Sequence, residues 1–517
     1  MRDASRRQAV LAVISACVVL VFGLGAGVNL AVGRLATSEL HPTPIQVLWI
    51  VDTYLVVFGC LLIPAGAVGD RMGYKQMLLT GLAVLAAGSV ASAVAPDVPL
   101  LLAGRVLAGA GAALVLPNSL SLLVDCFPPD ERPHAVAVWT GMTGLGGAVG
   151  NLGGGLILQF YDWQMLFAAA APMALVALAI VGRVAPRTEG HKMPLDLLGV
   201  AILVPAIFSL LFGIIEGQEL GWGSGTVLGA FAASALIAAA FVRHGLRREH
   251  PLIDPRVFSL PGLRAGVLGI VASFVGMYSL FYLNGQYLMS VKGYSPFLAG
   301  ACILPLAVTM YLLSPRSVAL ARRLGERRTV AAGLLVLACG LALLAVCDAG
   351  TPYPAYAVVL VLISAGSALS NPLLSLSIIG SLPQGEAGVG SGINSFAREI
   401  GGALGVALFG SLLNTAYARQ LPETLRGLAS TGNAAMLKSI GSTLELVDRV
   451  GGTQADRLAA LARSAFSDAM GQAALVVAGL VVLGAVPVVL WIKTAAVPKV
   501  QSGDLQTTVE AADAPKM

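Results

Sequence analysis

The sequence has little charge: only 11% of its 517 residues are Asp, Glu, Lys or Arg, whereas 57% are hydrophobic. Soluble domains carry about 25% charged residues, so this composition excludes a soluble globule and predicts a membrane protein. Aromatic residues make up only 6% of a chain with 61 glycines, which favours closely packed helices over a lipid-facing barrel. The net charge of +5 lies mostly in loops, so we assign it to membrane orientation and predict no nucleic-acid partner.

The sequence also lacks the short motifs of several chemistries. Its six cysteines form no Cys-x-x-Cys pair, so neither a metal site nor a disulfide is predicted. No Gly-x-x-x-x-Gly-Lys-Ser/Thr stretch indicates ATP hydrolysis, and no nucleophile–base set indicates an enzyme. The first apolar run has no cleavage site and is interpreted as a retained span. The Ala-rich, Lys-poor composition is typical of a high-GC bacterium, whose inner membrane is the expected location.

Fourteen apolar segments are about long enough to cross a bilayer as helices. They lie near residues 9–33, 46–69, 76–95, 99–125, 134–158, 163–184, 195–215, 224–243, 264–290, 296–320, 328–347, 354–381, 388–413 and 470–493. The long segment 414–469 between the last two spans contains Leu444–Val450 and Leu458–Phe466, which have the spacing of short amphipathic helices. We therefore expect a folded extracellular cap there.

Loop charge predicts the orientation. Basic residues concentrate in alternate loops, at Arg71, Lys75, Arg132, Arg183, Arg187, Lys192, Arg243, Arg247, Arg248, Arg322, Arg323, Arg327 and Arg328. The opposite short loops contain little beyond Arg34 and Lys292. The positive-inside rule then places both termini in the cytoplasm.

One loop, residues 66–75, organises the chain between spans 2 and 3. Its glycines, which let backbones approach and turn, are Gly66, Gly69 and Gly73. Asp70 is expected to bond to the N-terminus of a neighbouring helix, where free amides favour an anion. Arg71 and Lys75 would anchor the loop in the cytoplasm. The alternative is an ordinary short loop of a membrane protein.

The pattern Gly-x-x-x-Asp-Arg-x-Gly-x-Lys, between the second and third spans, resembles the loop motif of the major facilitator superfamily. Residues 321–327 faintly repeat it between spans 10 and 11, which leaves six spans in each half. The resemblance implies an all-α fold of two six-helix bundles plus two inserted helices. We assign residues 1–190 to the first bundle, 191–250 to the inserted helices, 251–497 to the second bundle with extracellular loop 414–469, and 498–517 to a cytoplasmic tail. The resemblance further implies that the loop has a gating role, that the protein is a monomer, and that a proton gradient supplies the energy without a cofactor.

Span 4 contains Arg105 about one or two turns inside an apolar helix. An arginine there is costly unless it faces a cavity or a partner; alternatively, it extends outward to the interface. Residues 104–113 resemble the second motif of the superfamily, Arg-x-x-x-Gly-x-Gly-Ala-Ala. That resemblance implies a role for Arg105 in proton coupling.

Span 5 is rich in glycine at three- and four-residue spacing, which provides a smooth face for another helix. The run resembles the antiporter motif typical of drug exporters, on Gly146, Gly150, Asn151, Gly154 and Gly155. Asn151 stands where that motif has proline. This departure removes a helix kink and adds a polar group.

Two carboxylates lie inside spans. Asp52 is about one turn deeper than Trp49, which marks the outer interface, and Glu399 is near the midplane, where transporter sites lie. Removal from water favours the neutral form of a carboxyl, so either residue is a candidate proton carrier, and in its ionised form it would attract a cation. The alternative for each is an ion pair with a basic residue on another helix.

Further stretches sharpen the resemblance. Residues 48–54, 286–288, 293–296 and 304–305 resemble the fourteen-span drug:proton antiporters, and the first of them resembles exporters of quaternary ammonium compounds and methyl viologen. That family usually has an Asp in span 1, where this chain has Leu24. If the span-1 acid is the usual proton site, Asp52 must replace it or coupling must differ.

The sequence therefore predicts a proton-coupled exporter of amphipathic, cationic drugs. Aromatic side chains are expected to line an apolar pocket or to pack in the core, at Trp139, Phe274, Tyr278, Phe281, Tyr282 and Tyr287. Three alternatives stay open at this point: a dedicated exporter of a self-made antibiotic, a proton symporter that imports a nutrient, and a non-transporting sensor or scaffold.

Overall fold

A computed structural model describes residues 2–36, 38–190, 194–218, 220–383, 385–429, 439–450 and 452–492, and its secondary structure in that part is helical. The first half contains α1 (Arg2–Asn29), α2 (Val32–Ala36), α3 (Pro44–Met72), α4 (Tyr74–Ala93), α5 (Val98–Cys126), α6 (Arg132–Phe160) and α7 (Gln164–Val184). Polar residues begin several of these helices: the Thr43 side chain forms a capping box with Gln46 at α3, and Asp97 caps α5.

The second half follows a pair of helices, α8 (Leu197–Glu216) and α9 (Gly225–Gly245). It contains α10 (Pro261–Gln286), α11 (Pro296–Ala301), α12 (Leu304–Leu324), α13 (Glu326–Leu343), α14 (Tyr353–Gly380), α15 (Ala387–Gln420), α16 (Glu423–Ala429), α17 (Ile440–Val450) and α18 (Gly452–Trp491). A short π-helix at Tyr287–Val291 extends α10. Pro305, in the first turn of α12, follows the break that separates α11 from α12.

Thirteen helices among the described residues are long and apolar enough to cross a membrane. The fourteenth, α6, is as long as α3 but less hydrophobic, because its sequence is rich in glycine and includes Asn151. It packs against α1 and α12 inside the bundle. The predicted all-α membrane fold of about fourteen spans is therefore confirmed.

Two boundary predictions were wrong. The first span ends at Asn29 and not near residue 33, since a turn separates α1 from the short α2. Leu458–Phe466 is not a separate helix but the beginning of α18, because no proline or turn interrupts the helical chain before Met470. The other predicted amphipathic helix is present as α17. The predicted tail, 498–517, lies outside the described residues.

The hydrophobic core has two parts. One is formed by side chains between Val10 and Ala185, from α1 to α7. The other is formed mainly by α10–α15, α17 and α18, and it takes in Leu203 and Leu211 of α8 and Phe241 of α9. The two halves meet where α3 and α5 contact α15 and where α6 contacts α12 and α14.

The faint sequence repeat is also a repeat of backbone geometry. α3 and α4 meet at Gly73, whose φ is 93°, and α12 and α13 meet at Gly325, whose φ is 89°. Both values lie in the left-handed region that favours glycine. The two corners therefore turn the chain in the same way in the two halves.

The inserted helices α8 and α9 form a hairpin that Asp196 holds at one end. Its buried carboxylate accepts hydrogen bonds from the backbone N–H of Gly199 (3.0 Å) and Leu252 (3.2 Å), and it contacts His244 Nε2 at 2.9 Å. Burial opposes the charge of Asp196, but these contacts outweigh it and lower the pKa of the carboxyl. The start of α8, the end of α9 and the following loop are thus joined at one charged group.

Candidate functional site

The α3–α4 corner lies at one end of the bundle, together with the α5–α6, α7–α8, α9–α10 and α12–α13 connections. We call this end the basic side, since it carries the arginines and lysines of the alternate loops that the structure describes. Contacts join these connections: Arg71 Nε donates to the carbonyl of Pro194 at 3.2 Å, and Arg322 donates to the carbonyl of Asp130 at 3.2 Å.

Asp70 connects the two halves of the molecule at the basic side. Its buried carboxylate accepts hydrogen bonds from the backbone N–H groups of Gly388 (2.6 Å) and Val389 (2.9 Å), in the first turn of α15. The Tyr74 hydroxyl also donates to it at 2.7 Å. These N–H groups have no partner within their own helix, and the positive end of the helix dipole favours an anion. The helix contact predicted for Asp70 is thus present, and α15 belongs to the other half.

The glycines of the loop motif allow this contact. A Cβ atom on Gly66 would collide with the carbonyl oxygen of Gly388, and one on Gly69 would collide with the Asn118 side chain. Beside them, the Ser121 hydroxyl lies 2.9 Å from that of Ser391 in α15. The backbones of α3 and α15 therefore touch, and the bundle is closed at its basic side.

The basic residues of the motif hold the corner itself. Lys75 Nζ donates to the carbonyls of Gly182 (2.9 Å) and Ala185 (2.7 Å) at the end of α7, where free carbonyls favour a cation. Arg71 Nη1 donates to the carbonyl of Ala67 at 2.9 Å. These contacts lie within the first half, so the corner moves with that half.

A small polar cavity of about 140 Å³ adjoins this closure. Its lining includes Asp70, Arg71, Glu249, Asp254 and Glu386. Burial, together with the charges of Asp70 and Asp254, raises the pKa of Glu386, which precedes α15.

The larger cavity, of about 590 Å³, lies between the halves away from the basic side. Asp52 of α3 and Glu399 of α15 both line it, together with Tyr278 and Tyr282 of α10. Glu399 is twelve residues into α15, or ~18 Å along its axis at about 1.5 Å per residue. The structure thus brings both predicted carboxylates and two of the predicted aromatic residues to one space.

The inserted helix α8 also lines this cavity. Leu211, Ile214 and Ile215 of α8 contribute to the wall, together with Gln218 just after the helix. The Trp222 indole donates to the Ser411 hydroxyl of α15 at 2.8 Å, which ties the α8–α9 connection to the second half. No sequence signal identified this role, since the apolar residues of α8 fit a lipid-facing span equally well.

Arg105 is buried and does not extend to an interface. Its Nε donates to the carbonyl of Ile50 at 2.9 Å, and its guanidinium lies 4.6 Å from the ring centre of Tyr54 and 5.6 Å from that of Phe167. Ile50 and Tyr54 flank Asp52 in sequence on α3. Arg105 therefore fixes the segment of α3 that carries Asp52, while the pocket wall does not include Arg105 itself.

The glycine face of α6 packs on α1. A Cβ atom on Gly150 would collide with the backbone of Gly23, and one on Gly154 would lie 3.1 Å from the Cα of Gly27. Gly146 faces Val19 and Phe22 in the same way. Asn151 is half-buried. Gly155 has more room, since the nearest side-chain atom, from Leu30, is 3.9 Å from its Cβ position.

Three of the other predicted aromatic residues lie outside the cavity lining. Tyr287 is buried and donates to the carbonyl of Asp348 at 2.7 Å. Trp139 and Phe274 flank the guanidinium of Arg398, at 4.8 and 5.2 Å from their ring centres. Arg398 was not among the predicted site residues, although an arginine near the middle of an apolar span is a signal that could have identified it.

Comparisons with known proteins agree with this architecture. A family profile described as Major Facilitator Superfamily matches residues 14–406. The chain is 31% identical over 471 residues to the tetracenomycin C resistance and export protein of Streptomyces glaucescens, covering 89% of this chain and 86% of that protein. It is 30% identical over 429 residues to the methyl viologen resistance protein SmvA of Salmonella typhimurium, with coverages of 81% and 85%.

A solved structure shares the fold. The crystal structure of the human organic anion transporter TETRAN superposes with a TM-score of 0.56 and 18% identity, covering 93% of this chain and 99% of that one. At this identity the likeness concerns the fold alone. The resemblance drawn from the loop motif is confirmed.

Proposed function

The chain belongs to the major facilitator superfamily, and we propose that it is a proton-coupled exporter of amphipathic, cationic small molecules. The observation that carries this proposal is the cavity between the halves, which contains Asp52 and Glu399 and is closed at the basic side. Carboxylates beside Tyr278 and Tyr282 suit a lipophilic cation, since aromatic faces attract cations.

The basic side is assigned to the cytoplasm by the positive-inside rule. The protein would then cross a bacterial cell membrane many times as a monomer, with both termini in the cytoplasm. In this assignment the conformation that is closed at the basic side faces outward. Opening the Asp70–α15 contact would expose the other side of the same space to the cytoplasm.

Coupling requires that protons and substrate favour different states. A proton on Asp52 or Glu399 would displace a bound cation and favour one access state, while the cation would favour the other. Arg105 would act as a positioning residue, because it holds the carbonyl of Ile50 two residues before Asp52. The proton gradient supplies the energy in this scheme.

The range of substrates is supported by the relatives. One is named for the export of tetracenomycin C and another for resistance to methyl viologen, which supports export of more than one kind of compound. The Streptomyces relative named for a single antibiotic favours a second candidate, a dedicated exporter of one natural product.

Ethidium efflux from cells with and without the protein tests the proposal. We expect efflux that depends on the protein and stops with a proton uncoupler. Efflux that continues unchanged with the uncoupler would contradict proton coupling. A panel of unrelated amphipathic cations separates the two candidates, since a dedicated exporter would leave most of the panel inside the cells.

A further inference from the structure

Arg398 is a buried charge whose hydrogen bonds are incomplete. Its Nη2 lies 3.4 Å from the Ser375 hydroxyl and 3.5 Å from the Thr140 hydroxyl, while its Nε and Nη1 have no hydrogen-bond partner. None of the ion pairs among the described residues involves Arg398. Most buried arginines are paired, so this side chain has unused capacity for a negatively charged or acceptor group.

Its neighbours share this property. Asn371 and Ser375 are four residues apart on α14, and Asn394 and Arg398 are four apart on α15, so each pair lies on one helix face. The Ser375 hydroxyl donates to the Asn394 side-chain oxygen at 2.9 Å and joins the two faces. The amide nitrogens of Asn371 and Asn394 are buried and have no hydrogen-bond partner, nor does the Asn371 oxygen. We call Asn371, Ser375, Asn394 and Arg398 the Arg398 cluster.

The free groups of the cluster are mostly donors. Four N–H-bearing nitrogens lack a partner, two on Arg398 and one on each asparagine, against a single acceptor oxygen. A guanidinium with side-chain amides beside it matches the oxygens of a carboxylate or phenolate. Trp139 and Phe274, which flank the guanidinium, provide apolar surface for the aromatic body that would carry such an oxygen.

The position of the cluster, between the two halves, would let a substrate reach it when the halves part. Arg398 belongs to the second half, and Trp139 and Thr140 belong to α6 of the first half, so part of the cover of Arg398 comes from the opposite half. Along α15 the cluster lies between the closure at Gly388 and Glu399, which lines the large cavity. Successive residues of a helix point in directions about 100° apart, so Arg398 does not face the same way as Glu399. Parting of the halves at the basic side would remove the cover that α6 provides and would expose Arg398 on that side.

We propose that the Arg398 cluster is a second binding subsite, which takes the carboxylate or phenolate of an acidic or zwitterionic aromatic substrate when the basic side opens. The inference rests on the proposed transport function and extends it. Zwitterions would place their cation toward Asp52 and Glu399 and their anion on Arg398.

Binding to purified protein in nanodiscs, without a proton gradient, tests this subsite. The probes are norfloxacin, which is zwitterionic, its methyl ester, which lacks the anion, and ethidium. We expect Arg398→Gln to weaken norfloxacin binding at least tenfold and to change binding of the ester and of ethidium less than twofold. Arg316→Gln, which removes an exposed arginine of α12, is the matched control and should change none of the three.

Two further variants cover the case in which Arg398→Gln fails to assemble. Asn394→Ala and Arg398→Lys should each weaken norfloxacin several-fold more than its ester. Equal weakening of all three probes would show that Arg398 only holds the halves together, and it would overturn the subsite. Equal affinity of the parent for norfloxacin and its ester would also overturn it. Selective binding without efflux in cells would instead contradict the transport proposal and leave the subsite standing.

Discussion

Replacement of Asp70 by Asn should open the basic side of the molecule. Among the described residues, Asp70 accepts hydrogen bonds from the Tyr74 hydroxyl and from two backbone N–H groups in the first turn of α15. Hydrogen bonds to a charged group contribute about 1.5–3 kcal/mol each. Asn keeps one acceptor oxygen, while its amide nitrogen would face a backbone N–H. We therefore expect the closed state to lose about 2–3 kcal/mol, which shifts the equilibrium roughly 30- to 150-fold toward the open state.

Distances between spin labels across the basic side measure this shift. Labels at His134, at the start of α6, and Arg323, at the end of α12, report on opposite halves. They require a background in which the six native cysteines are replaced. In Asp70→Asn we expect a longer distance component to grow at the expense of the parent distance, together with slower drug efflux at normal expression.

Asp125→Asn is the matched control, because Asp125 is an exposed carboxylate at the end of α5 on the same side. It should leave the distances unchanged. An unchanged distance distribution in Asp70→Asn would refute the argument that this carboxylate stabilises closure. If the distance distribution changes in Asp70→Asn but efflux does not, then the stability of the closure does not limit the rate of transport.

Three other predictions concern the two cavity carboxylates and the Asp196 contacts of the inserted helices. Asp52→Asn should weaken export of cations more than export of neutral compounds, as measured by efflux of a matched pair; equal losses would indicate a structural or purely proton-coupling role. Glu399→Gln should keep drug binding in detergent but reduce the protons released on drug addition in weakly buffered solution; undiminished release would remove Glu399 from coupling. Asp196→Ala should lower stability by about 0.5–2 kcal/mol, the usual cost of replacing an N-cap side chain by alanine. Native contacts lower the pKa of Asp196. The stability that they contribute is therefore present above its ordinary pKa of about 3.9 and is lost as the pH falls through the lower native value. Thermal melts in which parent and variant differ equally at pH 7 and at pH 3 would contradict this.

The fold followed from the sequence because each span is a long apolar segment and a bilayer requires its backbone groups to be satisfied within helices. The Asp70 contact was also predictable, since an anion beside tight glycines has few buried partners other than a helix N-terminus. The gating role of this loop, and the coupling roles of Asp52, Arg105 and Glu399, stay predictions.

Other features depended on packing between distant segments. Hydrophobicity alone does not tell the lipid face of α8 from the face with Leu211 and Ile214, which lines the cavity. Leu458–Phe466 has the same helical spacing whether the helix stops or continues into α18. The Arg398 cluster combines residues of α14 and α15 with a cover from α6, and no local pattern links them.

Uptake into vesicles with an imposed pH gradient tests the central claim most directly. Purified protein is reconstituted into liposomes with an acidic interior, and ethidium accumulation is followed by fluorescence. We expect accumulation that requires the protein, that stops when an ionophore removes the gradient, and that Glu399→Gln abolishes. Accumulation at the same rate with and without the gradient would contradict proton-coupled export by this chain.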